Sequence, residues 1–260
     1  MTPHCLICQT PTRPYFAKTY TEQPAATMMA DIGPVEYDRC PNCGFVLSRT
    51  HAGLRPDQWA RLNRDWHHWL EDLSRKTTIT QPPYEYQAVF LASLAARGII
   101  DPASWLDYAA GYGTLSTILR DGGGLGLDMP IYDPYVLADS HTKYIQSADL
   151  TTYQTVINSA MFEHVRTRAD LDRVNDLVAP GGCLAIHTVV SKTVPRDPDW
   201  GYLAPPVHCA FHTADSMRLL MEQWGYVSSI YNRPAKMWVL FKAGCQPVSD
   251  AVPGFAGGIE

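Results

Sequence analysis

The sequence predicts an α/β protein with a doubly wound, mostly parallel sheet that ends in an antiparallel hairpin, preceded by a small four-cysteine module. Three observations carry this. From Trp105 onward, short apolar runs alternate with helical stretches. One of those runs, Trp105–Tyr108, leads through the small residues Ala109-Ala110-Gly111 to a helix start at Thr114. The front of the chain carries two Cys-x-x-Cys pairs, Cys5/Cys8 and Cys40/Cys43.

The elements follow in order. Short strands are expected at Val35–Tyr37 and Phe45–Ser48. A helix is expected over Pro56–Leu73, with proline at its first position and Trp59, Leu62, Trp66, Trp69, Leu70 and Leu73 forming one apolar stripe. The polar stretch Ser74–Pro83 reads as a linker, and a second helix runs over Tyr84–Arg97 to a C-terminal Gly98. Strands are then expected at Trp105–Tyr108, Met129–Tyr132, Thr155–Asn158 and Leu184–Val190, with helices at Thr114–Arg120, Val136–Thr142 and Thr167–Leu177 between them. Thr213 with Ser216 starts the last helix and Gly225 ends it. Tyr226–Tyr231 and Lys236–Phe241 have no helix between them and should pair antiparallel. The expected divisions are a front module (1–52), a connecting helix and linker (53–83), a core (84–245) and a flexible tail (246–260).

Of the 260 residues, 46% are hydrophobic and 18% charged, enough to build a core and too apolar for disorder. The formal charge is −5, and the residues up to Arg75 hold eight basic against eight acidic side chains, so no basic arm is present. This balance argues against nucleic acid as a partner, whose binding rests on phosphate neutralisation. The start of the chain does not read as a secretory signal and no apolar run suits a membrane span. With seven cysteines, an odd number containing two close pairs, reduced thiols and a cytoplasmic location are expected.

Two-residue spacing lets both thiolates of a Cys-x-x-Cys knuckle reach one ion at about 2.3 Å, so Cys5, Cys8, Cys40 and Cys43 are expected to complete one tetrahedral zinc site. The plainer reading is a pair of reduced, unligated knuckles. A closed four-thiolate shell has no open position, so this zinc holds structure and performs no chemistry. The run Tyr37-Asp38-Arg39-Cys40-Pro41-Asn42-Cys43-Gly44 resembles the zinc-binding front module of bacterial methyltransferases that act on sugars and other small metabolites.

A glycine loop alone serves NAD-binding proteins, methyltransferases and plain tight turns alike. Here Leu106-Asp107-Tyr108-Ala109-Ala110-Gly111-Tyr112-Gly113 resembles the first motif of the class I S-adenosylmethionine (SAM)-dependent methyltransferases, with Ala109 at the first glycine position. Four later segments resemble the same family in order: Ile131–Tyr135, Ser147–Leu150, Val156–Val165 and Leu177–Leu184. The resemblance spans residues 84–243 and implies a seven-stranded sheet and SAM as cofactor. It implies SAM contacts from Tyr84, Asp107, Ala109, Gly111, Gly113, Asp133, Pro134, Asp149, Leu150, Asn158 and Ser159, with Asp133 on the ribose hydroxyls. Asp128, in Gly126-Leu127-Asp128, is the competing ribose acid; Asp133 is preferred because Gly122-Gly123-Gly124 reads as the loop entering the second strand.

Methyl transfer needs an aligned nucleophile and often a base. His164 follows the fourth strand, although a helix-start residue bonded to backbone explains it equally well. Pro206-Val207-His208-Cys209-Ala210-Phe211 resembles a family Pro-x-His-x-x-Phe segment and puts His208 on the acceptor side. His212 and His187 read as structural. The expected function is SAM-dependent methylation of a small-molecule acceptor such as a sugar nucleotide or natural-product intermediate. The competing readings are a zinc-module RNA methyltransferase and a non-catalytic SAM-binding protein.

Overall fold

The computed structural model describes residues 3–70, 82–122, 126, 128–136, 144–245 and 251–256. Most of the linker at 74–83, the helix over Val136–Thr142, Leu73 of the tryptophan stripe and much of the glycine run at 122–124 fall outside these residues.

In chain order the front holds β1 (Arg13–Lys18), α1 (Ala25–Met28), β2 (Val35–Arg39), β3 (Val46–Ser48), α2 (Arg49–Ala52) and α3 (Pro56–Leu70). There follow α4 (Tyr84–Ala96), β4 (Trp105–Tyr108), α5 (Thr114–Asp121), β5 (Ile131–Tyr132), β6 (Tyr153–Ser159), α6 (Arg168–Asp176) and β7 (Val178–His187). The chain finishes with β8 (Val190–Ser191), β9 (Ala210–Thr213), α7 (Ala214–Gln223), β10 (Tyr226–Asn232), β11 (Met237–Lys242) and β12 (Val252–Pro253).

One sheet has seven strands in the order β12-β10-β11-β7-β6-β4-β5. Only β7, β6, β4 and β5 are mutually parallel; β11, β10 and β12 pair antiparallel. The sheet is therefore mixed: it has seven strands, is parallel over β7, β6, β4 and β5, and ends in the antiparallel hairpin β10–β11 with β12 added at its edge. Its two faces follow the strand period of two. Val156, Leu184 and Ile186 face one core cluster, while Ile157, Cys183 and Ala185 face the other, where Phe90, Leu91 and Leu94 of α4 and Leu115 and Leu119 of α5 pack.

Three local expectations need correction. The strand expected over Met129–Tyr132 is ordered as a ladder only from Ile131, because Pro130 has no N–H to give; its carbonyl still accepts from Asp107 at 3.2 Å. The strand expected over Leu184–Val190 starts at Val178 and leaves the sheet after His187. Val190–Ser191 instead pairs parallel with β9 in a different sheet. The tail expected to be flexible contributes β12, buries Ala256, and stacks Phe255 on Trp238 at 5.3 Å between centroids.

The second sheet has five strands in the order β1-β2-β3-β9-β8. Its first three strands come from the front of the chain and its last two from beyond residue 189, with β3 and β9 antiparallel. The front segment therefore shares a sheet with the core. It also shares an apolar cluster: Ile7, Tyr37 and Phe45 belong to the same one as Phe162, Phe211 and Trp224.

Candidate active site and thiol cluster

Above the C-terminal end of β4, Ala109, Gly111 and Gly113 all adopt positive φ, at 59°, 54° and 72°. Glycine enters that region freely, whereas alanine is strained there by about 1–2 kcal/mol. The alanine that departs from the glycine pattern thus sits where the turn is tightest. Gly113 caps the start of α5, so the loop turns straight into a helix N-terminus.

Asp133 follows directly on β5, whereas Asp128 precedes that strand and is exposed. One Asp133 oxygen accepts the Gly111 N–H at 2.9 Å and the other accepts the Tyr135 and Val136 N–H groups at 2.8 Å. The carboxylate ties the glycine loop to the strand-end turn. Tyr144 adds a hydroxyl bond to the Gly111 carbonyl. Pro134 beside it is exposed. Asp149 is exposed in a 3-10 turn, where it accepts the Gln146 N–H at 3.2 Å, and Leu150 is half-buried after it.

Two buried side chains lie at the edges of adjacent strands with oxygens left over. Asp107 is buried in β4 and its Oδ2 has no partner among the described residues. Burial, with a smaller contribution from the charge of Asp133, pushes its carboxyl up to about 7. Asn158, buried in β6, donates to the Tyr108 carbonyl at 3.0 Å and leaves its Oδ1 without a partner. Unpartnered buried acceptors are uncommon and point to a missing donor. The cationic amino group of SAM supplies one, so the residues present fit that cofactor. Ser159 is turned away, donating to Gln87 at 3.0 Å, and Tyr84 opens α4 against the second core cluster.

The residues expected on the acceptor side are brought together by three segments. After β6, a turn through Ala160 at φ 63° places Glu163 and His164. His208 comes from the connection ahead of β9, where Tyr37 of the front sheet donates to its carbonyl at 3.2 Å. Glu163, His164 and His208 bring one ligand atom each within 4.8 Å of one another. His208 Nδ1 donates to the Tyr202 carbonyl at 2.7 Å, and Thr188 donates its hydroxyl to Glu163 at 2.9 Å. Burial pushes both histidines below the usual imidazole range. The third segment is α3, which crosses this edge: Asn63 meets His164 at 3.3 Å, and His68 lies 3.5 Å from the Tyr112 hydroxyl in the glycine loop. An open pocket of about 490 Å³ is lined by Val189, Ser191, Lys192, Thr193, Pro195, Trp200 and Tyr202. Tyr202 joins it to the cluster, with its ring 4.6 Å from that of His208.

Sequence reasoning named His164 and His208 but missed their supports, Asn63, His67, Glu163, Thr188 and Tyr202. Glu163 lay inside a quoted motif, and Asn63 and His67 lay on a helix assigned wholly to packing. His187 and His212 lie away from this cluster's contacts. His187 donates to the Lys236 carbonyl at 2.8 Å, and His212 is buried between the rings of Phe45 and Phe162.

The four front cysteines form one cluster. Sγ separations are 3.6 Å for Cys5–Cys43, 3.4 Å for Cys8–Cys40 and 3.7 Å for Cys8–Cys43. A tetrahedron of thiolates at 2.3 Å from zinc has edges of about 3.8 Å, so the sulfurs fit such an ion. Cys5 is pushed down to about 5 by the hydrogen bond from Cys43, and the same bond pushes Cys43 up, as for one proton shared by a pair. Both knuckles are stitched to the core. Thr213, which caps α7, also donates to the Cys43 carbonyl, and Gln223 donates to the Ile7 carbonyl at 2.9 Å.

A family model described as a methyltransferase domain matches residues 80–228, more than half of the chain. The chain belongs to this family: it is a SAM-dependent methyltransferase. No curated protein matches the sequence. Among solved structures, the plantazolicin methyltransferase BpumL, in complex with a triazolic desmethylPZN analog and SAH, aligns at TM-score 0.46 and 10% identity over 72% of this chain and 98% of its own. The magnesium protoporphyrin IX methyltransferase of Synechocystis PCC 6803 with bound SAH aligns at 0.45 and 17% over 70% and 99%. Streptomyces venezuelae DesVI aligns at 0.40 and 14% over 62% and 93%. Likenesses this distant add nothing to the functional argument. No helix of the described residues is long and apolar enough to cross a membrane.

Proposed function

We propose that this enzyme methylates a small metabolite, such as a sugar nucleotide or natural-product intermediate, with SAM held on the glycine loop and the acceptor held beside His208 and His164. The observation that supports this most is the pair of orphaned acceptors, Asp107 Oδ2 and Asn158 Oδ1, on the sheet edge that also carries the loop. In this reading Asp133 accepts from the ribose hydroxyls through Oδ2, which takes only one backbone bond, and Pro134 lies beside it. Asp149 and Leu150 flank the adenine. Ala109, Gly111 and Gly113 bring backbone close to the cofactor. Tyr84 borders it, and Ser159 does so through its backbone, its hydroxyl being held by Gln87.

Methyl transfer is an in-line displacement, so alignment carries much of the rate and deprotonation of the acceptor the rest. His208 and His164 serve as base or anchor for the acceptor. The pocket beside Tyr202 suits a small molecule, and the balanced charge of the front segment disfavours RNA. Cys5, Cys8, Cys40 and Cys43 hold one structural zinc. The decisive experiment is calorimetry with SAM followed by turnover on acceptor panels. Micromolar SAM binding with methylation of a small acceptor is expected. SAM binding without turnover on any class supports a binding protein instead, and RNA affinity that falls steeply with salt supports an RNA substrate.

A further inference from the structure

The three side chains that meet at the acceptor side share an arrangement that proton transfer alone does not require. Asn63 is buried, and its side-chain N–H donates to the Trp59 carbonyl at 2.9 Å. That bond fixes the amide's orientation, so Oδ1 faces His164 and His164 Nδ1 must be the donor across the 3.3 Å contact. His208 Nδ1 is committed to the Tyr202 carbonyl in the same way. Both imidazoles are thereby locked as Nδ1–H tautomers with Nε2 lone pairs free. The third member, Glu163, is buried, accepts the Thr188 hydroxyl, and has the Tyr202 hydroxyl as a second side-chain partner. Among the described residues no lysine or arginine forms a salt bridge with it. One ring nitrogen of each histidine and a Glu163 oxygen lie within 4.8 Å of one another, and Nε2 is the nitrogen that each histidine has left to bind an ion.

We propose that Glu163, His164 and His208 bind one divalent first-row transition-metal ion, separate from the thiolate site. Two imidazoles and one carboxylate form a donor set that suits zinc, iron(II) or cobalt(II) and leaves coordination positions open. Oxygen acceptors on the far ring nitrogen are the usual outer support of metal-bound histidine, and here they come from Asn63 on α3 and from Tyr202. The neighbouring His67 has its Nδ1 committed to the Asn63 carbonyl at 2.7 Å, with its ring 5.4 Å from that of His164.

The use of the ion rests on the small-acceptor reading given above; its existence does not. A hydroxyl of the acceptor that takes an open position becomes acidic and releases its proton to water. Its oxygen then bonds to the SAM methyl carbon while the carbon–sulfur bond breaks and its electron pair returns to sulfur, giving the methyl ether and the neutral thioether. In the loaded state the two histidines act as anchors, through the ion. The acceptor class is therefore an alcohol or phenol.

The test is a cobalt(II) titration of full-length protein whose thiolate site already holds zinc, after dialysis against a weak chelator. Wild type should take up about one cobalt per chain with visible d–d bands and no sulfur-to-metal charge-transfer band, the absence expected of nitrogen and oxygen ligands. Glu163→Gln and His164→Asn should each weaken uptake by at least the roughly 10–100-fold that loss of an outer-shell partner costs, since each removes a direct ligand. Melting temperature and SAM affinity, read on the same samples, report folding and cofactor binding separately. No uptake by wild type overturns the site, whatever the variants do, and so does equal uptake by wild type and a folded variant. Uptake without SAM binding keeps the site and removes the methyl-transfer reading of it.

Discussion

The two sheets of this enzyme are assembled in opposite ways. The parallel part of the seven-stranded sheet uses strands separated by short connections and helices, each laid beside a strand near it in sequence. The five-stranded sheet joins Val46–Ser48 to Ala210–Thr213 across most of the chain. The first arrangement builds the cofactor edge from local rules. The second carries the acceptor side, because His208 and Cys209 sit where the sheets meet: Tyr37 holds the His208 carbonyl and Cys209 donates to the Glu163 carbonyl at 2.8 Å. In the proposed reading, cofactor binding is thus built into the core, whereas acceptor geometry depends on the front of the chain.

The largest expected effect comes from breaking the front. Cys40→Ser with Cys43→Ser removes half the thiolates, and a structural zinc contributes on the order of 10 kcal/mol in small zinc domains. Metal analysis should lose the thiolate-bound equivalent, and hydrogen exchange should rise in β2, β3 and β9 together. Protection kept in β9 while β2 and β3 exchange freely would separate the two halves of that sheet and break the comparison. SAM affinity should fall far less than turnover.

This difference also explains what could be read from sequence. The Trp105–Thr114 turn, Asp133 at a strand end and the Thr213/Ser216 cap follow local rules of period, small residues and capping, and each stands where those rules put it. Of the five-stranded sheet, β2 and β3 were legible, but their continuation into β9 and β8 was not. Val189 and Val190 continue the apolar pattern of β7, so nothing in the residues marks the point where the chain changes sheet. The same holds for Asn63, whose partner His164 is 101 positions away. Side chains that act through a distant fold contact carry no periodic signal.

His208→Ala sharpens the acceptor half. Turnover should fall by about 10²–10⁴-fold, the range for loss of general-base or comparable positioning help, with SAM affinity nearly intact. Loss of folding with full residual activity per folded molecule would make His208 a packing residue instead.

On the cofactor half, Asp107 predicts a pH dependence. Its carboxyl is raised from 3.8 to about 7 in the folded protein. Below about pH 4 both states hold the proton; between about 4 and 7 only the folded state does. Stability from this group is therefore present at low pH and lost as pH rises toward 7, by at most about 1.4 kcal/mol per unit. Unfolding of Asp107→Asn without SAM should show a flatter profile than wild type between pH 5 and 7. Parallel profiles would mean that Asp107 is solvated and not the orphan it appears in β4.

The smallest effect, and the sharpest on assignment, belongs to Asp133→Ala. Its carboxylate already takes three backbone N–H groups from the glycine loop and the strand-end turn. Removing it therefore loosens the loop as well as deleting the proposed ribose contact, and the two effects must be separated. SAM binding should weaken by about 1.5–3 kcal/mol, the range for a hydrogen bond to a charged group. Asp133→Asn keeps one acceptor oxygen, enough for Gly111 or for the Tyr135 and Val136 pair but not for both, while losing the charge, so it should recover part of the thermal stability and less of the SAM affinity. The control is Asp128→Ala, on an exposed residue ahead of β5. Calorimetry should find its SAM affinity unchanged. A loss confined to Asp128→Ala would move the ribose contact to that residue and leave Asp133 as the clasp of the loop alone.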